Sequence, residues 1–183
     1  GQIRHLEERQ FLLEVFRRLR YPEKLLLASR MREPEWFTNY QFRGRHRLKK
    51  LMDKIDRKVF RRYCFHDYIP DNEVQVHLKA ADVIFVPRSG VLNSGVPFLG
   101  WAFGKVVVAP NCGNLAEAMQ LVGNPVYSEG DIGSAISAIT QGLEIAETGA
   151  GTDAHRVALG YFDPESVSRQ TLQFYEQVLQ CAE

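Results

Sequence analysis

Between two apolar runs, 82–86 and 105–109, the chain reads PRSGVLNSGVPFLGWAFG. The residue types there point to anion binding. Gly90, Gly95 and Gly104 give the backbone freedom, and Asn93-Ser94-Gly95 form a polar triplet. An order of strand, glycine-containing loop and helix aims main-chain N–H groups at the space above a sheet. A helix start there favours phosphate through its unpaired N–H groups and its partial positive charge. Ser94 adds a hydroxyl, and Gly95, with no Cβ, lets an anion approach closely. Arg88 is a candidate cation, set against the plain reading of a solvated loop arginine. The plain reading of the glycines is a tight turn that lets a helix pack on a strand. No Gly-Lys-Ser/Thr follows, so this is not a Walker loop, and the spacing is not Gly-x-Gly-x-x-Gly.

Such a loop needs strands and helices to hold it. Leu12, Val15, Phe16 and Leu19 recur at helical spacing and predict a helix over about 8–20, stopped by Pro22. Residues 24–28, KLLLA, predict a short buried strand. Residues 33–41 read as loop or a short turn of helix. Leu48, Leu51, Met52, Ile55 and Val59 predict a second amphipathic helix, and the aromatic 62–68 a strand. Asp71 is a candidate N-cap for a helix that turns Val74, Leu78 and Ala81 to one face. The runs 82–87 and 105–109 lack polar alternation, as strands covered on both faces do. A helix is expected over about 95–103. Asn114 and Glu117 suggest a capping box, Val126-Tyr127 a minimal strand, and Asp131 the cap of a helix over Ile132, Ala135, Ile136, Ile139 and Leu143. Residues 147–153 read as a flexible loop. Asp163-Pro164 opens a last helix, expected to bury Val167, Thr171, Phe174 and Val178.

Alternating strands and amphipathic helices predict an α/β fold, an open doubly wound parallel sheet, in which ligands bind at the carboxyl ends of strands. At 183 residues the chain is read as a single domain. The net charge of +1 sets up no global field toward nucleic acid or membrane. No apolar run is long enough to span a bilayer, and the start shows no signal-peptide pattern. Cys64, Cys112 and Cys181 are widely spaced and odd in number, so neither a metal site nor a disulfide framework is expected. Cys64 reads as core, and a cytoplasmic setting is expected.

The segment 69–119 resembles the donor-binding, C-terminal half of GT-B glycosyltransferases, especially glycosyltransferase family 4. The likeness rests on Ala81-Asp82-Val83, Pro87, Ser94-Gly95, the run Ala102-Phe103-Gly104-Lys105-Val106-Val107-Val108-Ala109, and Gly113 and Glu117. Gly1-Gln2-Ile3-Arg4 resembles the start of that half, and 163–180 its end. The resemblance implies a Rossmann-like sheet and a nucleotide-diphosphate sugar, GDP- or UDP-linked, as substrate, with no cofactor and no metal. It implies Arg4, Tyr68, Ile69, Arg88, Asn93, Ser94, Gly95 and Val96 as donor-binding residues, with Tyr68 and Ile69 against the base. It also implies a partner domain, N-terminal to this one, that binds the acceptor, so the chain is expected to be a piece of a two-domain enzyme and inactive alone. No catalytic residue is assigned.

The family usually carries two glutamates, whose places fall here on Val91 and Leu99, and a lysine whose place falls on Glu7. These departures motivate an alternative, a non-catalytic interaction module that keeps the fold. A second alternative rests on 43–62, where ten Lys or Arg face two Asp. That run could contact a membrane, at the inner face of which such enzymes work, or a nucleic acid. A solvated helix face is the plain reading, and no nucleic acid is expected. His46 reads as exposed, and His66-Asp67 as a strand pair whose side chains point apart.

Overall fold

A computed structural model describes residues 6–21, 24–29, 63–66, 69–88, 90 and 93–180. The chain divides into two compact units, Gly1–His77 and Leu78–Glu183. The expected helix over 48–59, the loop at 33–41, the basic run 43–62, Arg4, Tyr68 and Val91 lie outside the described residues, as do the side chains of Cys64 and His66.

In the first unit, α1 (Leu6–Arg18) turns Leu12, Val15 and Phe16 inward, with Leu13 beside them and Leu19 just past its end. The i, i+3, i+4, i+7 spacing predicts that face. Lys24 folds back on the helix end: its ammonium donates to the carbonyls of Phe16 and Leu19 and lies 4.7 Å from the Phe16 ring centre. A cation there meets the negative end of the helix dipole. β1 (Leu26–Ser29) and β2 (Tyr63–His66) pair in parallel, Leu26 opposite Tyr63. α2 (Asp71–Ala80) follows, and the division between units falls inside it. Its cap differs from expectation. The carbonyl of Pro70 accepts from Glu73 and Val74 at 2.8 and 3.2 Å, so Asp71 sits in the first turn. Proline there lets the chain enter the helix without wasting a donor. Val74, Leu78 and Ala81 are each half-buried.

The second unit is built around one strand. β3 (Val83–Phe85), β4 (Val106–Pro110) and β5 (Val126–Tyr127) form a parallel sheet with β4 central; Val83 lies opposite Val106 and Ala109 opposite Val126. β4 is buried along its whole length. Side-chain parity shows why. Val107 and Ala109 point into a cluster with Trp101 of α3 (Val96–Ala102) and Leu115, Met119 and Val122 of α4 (Gly113–Val122). Val106 and Val108 point the other way, where Gly142 of α5 (Ile132–Glu147) lies against them. Helices therefore cover both faces, as the unbroken apolar run predicts. Two glycines set how closely they approach. A Cβ on Gly100 would sit 2.6 Å from Val107 Cγ2, and one on Gly142 would sit 2.9 Å from Val108 Cγ2.

Three further local expectations fail, each for a physical reason. Asn114 and Glu117 do not form a capping box. The helix begins two residues earlier than such a box requires, at Gly113, with Cys112 in the cap position and no side-chain cap bond. Residues 147–153 are not a flexible loop. A turn at 148–150 separates α5 from α6 (Gly151–Phe162), whose glycine at the start is fixed by packing against Gly104. And α7 (Pro164–Gln180) buries none of its residues among those described: Val167, Phe174 and Val178 are about half exposed or more. Its apolar stripe exists but stays largely exposed.

Two predicted caps form. Asp131 accepts from the N–H groups of Gly133 and Ser134 at 2.8 and 3.1 Å. Asp163 accepts from Glu165 and Ser166 at 2.9 and 3.1 Å. The Ser166 hydroxyl, then the Ser166 and Glu165 N–H groups, hold the Asp163 carboxyl below its ordinary 3.8. A depressed folded value means that the cap stabilises fully above the ordinary value and is lost as pH falls through the lower folded one. An NMR titration of Asp163 is expected to give a midpoint below 3.8, and Asp163→Asn should remove that acid-sensitive step from the fraying of α7.

Candidate functional site

Because the three strands of the second unit run in parallel, their carboxyl ends open on one side. The loop after β3 arrives there first. Tyr127 anchors its root: the phenol donates to the Val86 carbonyl at 2.7 Å, and its ring lies 5.3 Å from that of Phe85. Beyond Val86 the chain passes Arg88 and Gly90 and reaches Asn93, Ser94 and Gly95, which lead into α3. Pro97 is buried in the first turn of α3, and Gly95 occupies its cap position. The side chains below it are locked. Trp101 stacks on Phe162 at 6.0 Å and meets Phe98 edge to face at 5.3 Å.

Gly95 is exposed, and a Cβ on it would meet nothing within 4 Å. The N–H groups of Ser94 and Gly95 find no acceptor among the described residues, while that of Val96 reaches Ser94 Oγ at a long 3.3 Å. An open face with undirected donors is thus present where the sequence places it. Arg88 is half-buried and already engaged in an interaction. Ile69 is half-buried in the first unit. Leu99, at a place where the resemblance leads one to look for a glutamate, is 43% exposed, and Glu7 is exposed on α1.

Two residues touch this loop that the sequence does not assign to it. Glu129, two positions after β5, accepts through Oε1 from the N–H of Gly90, whose φ of 63° is in the left-handed region. Asn114, in the first turn of α4, donates through Nδ2 to Asn93 Oδ1 at 3.3 Å. Nothing in spacing or periodicity announces either bond, because each joins ends of different strands. Parallel pairing of β3, β4 and β5 would have been the only clue.

The arrangement offers amide donors and a hydroxyl to an anion, with no cluster of three or more His, Cys, Asp or Glu placed to hold a metal ion among the described residues. A separate open recess of about 280 Å³ lies at the opposite, amino ends of β3 and β4, lined by Asp82, Lys105, Val106, Gly149 and Thr152 among others. Lys105 there already donates to the Lys79 carbonyl at 2.8 Å. Among the described residues no helix is long and apolar enough to cross a membrane.

No protein-family model matches the sequence, and no relative is found among curated proteins. Solved structures do share its fold. Sucrose-phosphate synthase from Thermosynechococcus elongatus superposes with a TM-score of 0.65 at 20% identity, over 96% of this chain and 42% of its own. HepE from Anabaena, solved in complex with UDP, gives 0.69 at 17% identity, over 97% of this chain and 47% of its own. A glycosyltransferase from Rickettsia africae ESF-5 gives 0.65 at 15% identity, over 98% and 46%. At these identities the likeness establishes the fold: a wound, Rossmann-like α/β chain of the GT-B kind. The chain spans less than half the length of each of these proteins.

Proposed function

We propose that this chain is the donor-binding, C-terminal half of a family 4-like glycosyltransferase, and that it holds a GDP- or UDP-linked sugar for transfer to an acceptor hydroxyl. One observation carries the reading. Nearly the whole chain, 96–98% of it, shares its fold with less than half of each of three solved proteins, one named a glycosyltransferase, one a sucrose-phosphate synthase and one solved with UDP. The open amides of Ser94 and Gly95 support it, because they stand at the carboxyl ends of parallel strands, where open α/β sheets bind ligands.

In the reaction, the bond between the anomeric carbon and the diphosphate oxygen breaks. A bond from that carbon to the acceptor oxygen forms, and the acceptor proton passes to a base. The acceptor and the base belong to the partner domain in this proposal, so the chain alone is inactive. Its own share is electrostatic. Donors fixed before the reaction stabilise charge growing on the leaving diphosphate without having to reorganise. Ser94, Gly95 and Val96 would line the diphosphate, Arg4 and Arg88 would add charge, and Tyr68 and Ile69 would meet the base. Cytoplasmic placement beside a membrane, through the basic run 43–62, is part of the same proposal.

Calorimetric titration of the 183-residue chain with GDP and with UDP tests this. Saturable binding of one is the expected result; no heat and no NMR shift from either at millimolar concentration overturns it. Ser94→Arg should fill the anion space and weaken binding at least about tenfold. Its unfolding free energy should stay within about 0.5 kcal/mol of wild type, since Ser94 is partly exposed and makes one long bond. Unchanged affinity in this variant would place the diphosphate elsewhere. One observation favours the interaction module instead: Phe98 and Leu99 are adjacent, apolar and 42% and 43% exposed. Turnover by a longer form of the protein that carries both domains would end that reading.

A further inference from the structure

We propose that Glu129, with Asn114, positions the loop after β3 for the diphosphate, an inference that rests on the donor-binding reading. At Gly90 and at Gly95 a Cβ would meet no atom within 4 Å, so neither of these two residues is wedged against a neighbour. Two ties from the neighbouring strand ends reach this part of the loop. Glu129 grips the Gly90 N–H from beyond β5, and Asn114 grips Asn93 from beyond β4. The two anchor points bracket the middle of the loop, and the second is adjacent to Ser94 and Gly95, whose amides are the open ones.

Two effects of Glu129 oppose each other. Its negative charge repels a diphosphate. Its bond orders a glycine that otherwise has more freedom to lose than any other residue. Glu129 is exposed, so the high dielectric of the surrounding water weakens that repulsion. The ordering term is not weakened in this way. Without the tie, the ligand must immobilise several loop residues at the moment it binds, and that entropy is subtracted from its affinity. Ordering therefore wins, and Glu129 strengthens binding despite its sign.

The test measures UDP and GDP affinity of wild type, Glu129→Ala, Glu129→Gln and Asn114→Ala, with amide hydrogen exchange at Gly90 as a second readout. Glu129→Ala is expected to weaken binding about tenfold and to speed Gly90 exchange, with the thermal midpoint unmoved. Glu129→Gln keeps an acceptor and should recover to within about threefold of wild type. Asn114→Ala, which breaks a longer bond, should lose about threefold. Tighter binding by both Glu129 variants would show the carboxylate to be a repellent and overturn the inference. Equal affinity of Glu129→Ala and wild type would overturn it while leaving donor binding intact. If wild type binds neither nucleotide, the donor-binding reading falls and takes this role with it; Gly90 exchange then still reports whether the tie exists.

Discussion

Asn124→Ala is expected to lower the unfolding free energy by about 2–6 kcal/mol, because one deletion orphans two buried donors at about 1–3 kcal/mol each. The Asn124 carbonyl oxygen accepts from Trp101 Nε1 at 3.0 Å and from the Val107 N–H at 2.8 Å. Asn124 is 6% exposed, Trp101 1% and Val107 0%, so water cannot replace the lost acceptor. The side chain is delivered there by the end of α4. Gly123 takes φ of 71°, its N–H bonds the Gln120 carbonyl, and the Asn124 N–H bonds that of Met119. That turn closes the helix and swings Asn124 inward. One oxygen thereby joins α4, α3 and the central strand. Urea denaturation followed by circular dichroism checks the figure, and a loss below about 0.5 kcal/mol, ordinary for a surface change, would refute the argument. On the proposed donor-binding role, nucleotide binding should weaken too, because Trp101 lies in the helix that the loop through Ser94 leads into.

Where pattern and local chemistry agree, the fold is readable from the chain. The apolar run at 105–109 with no polar alternation reads as a strand covered on both faces, and β4 is one. Asp131 and Asp163 cap because each is followed at once by a helical stretch whose N–H groups need an acceptor. The failures at Gly151 and at α7 are matters of distance along the chain. Gly151 looks like a loop glycine beside Gly149, since nothing local reveals that the Gly104 backbone presses on it. The face of α7 has the right spacing for burial, yet spacing records a stripe and not what lies beneath it. The site divides in the same way. Asn93, Ser94 and Gly95 are visible as a polar, glycine-bearing loop after a strand. Glu129 and Asn114 become part of it only once β3, β4 and β5 are laid side by side. Asn124, whose oxygen takes two buried donors, carries no sequence signal beyond following a glycine.

Alanine at Gly151 should destabilise the chain by about 1–3 kcal/mol, whereas alanine at Gly160 of the same helix should stabilise it by about 0.5–1 kcal/mol. Helix propensity favours alanine at both, and by a similar amount. What differs is the space. A Cβ on Gly160 would meet nothing within 4 Å, so only the propensity gain remains. A Cβ on Gly151 would stand 2.3 Å from the Gly104 oxygen and 3.2 Å from its carbonyl carbon, far inside contact distance. That carbonyl cannot withdraw. Gly104 has φ of 65°, its N–H is bonded to the Trp101 carbonyl at 2.8 Å, and the next N–H, of Lys105, to that of Gly100 at 3.0 Å. α6 must move instead. It carries Ala154 and Ala158 into the core, and His155 Nδ1 lies 2.7 Å from the Trp101 carbonyl, so a shift at its first turn strains the contacts that seat α3. Urea midpoints of the two variants against wild type decide the matter. A neutral or stabilising Gly151→Ala would mean that α6 is free to slide, and that α3 and the loop before it are held by something other than this backbone contact.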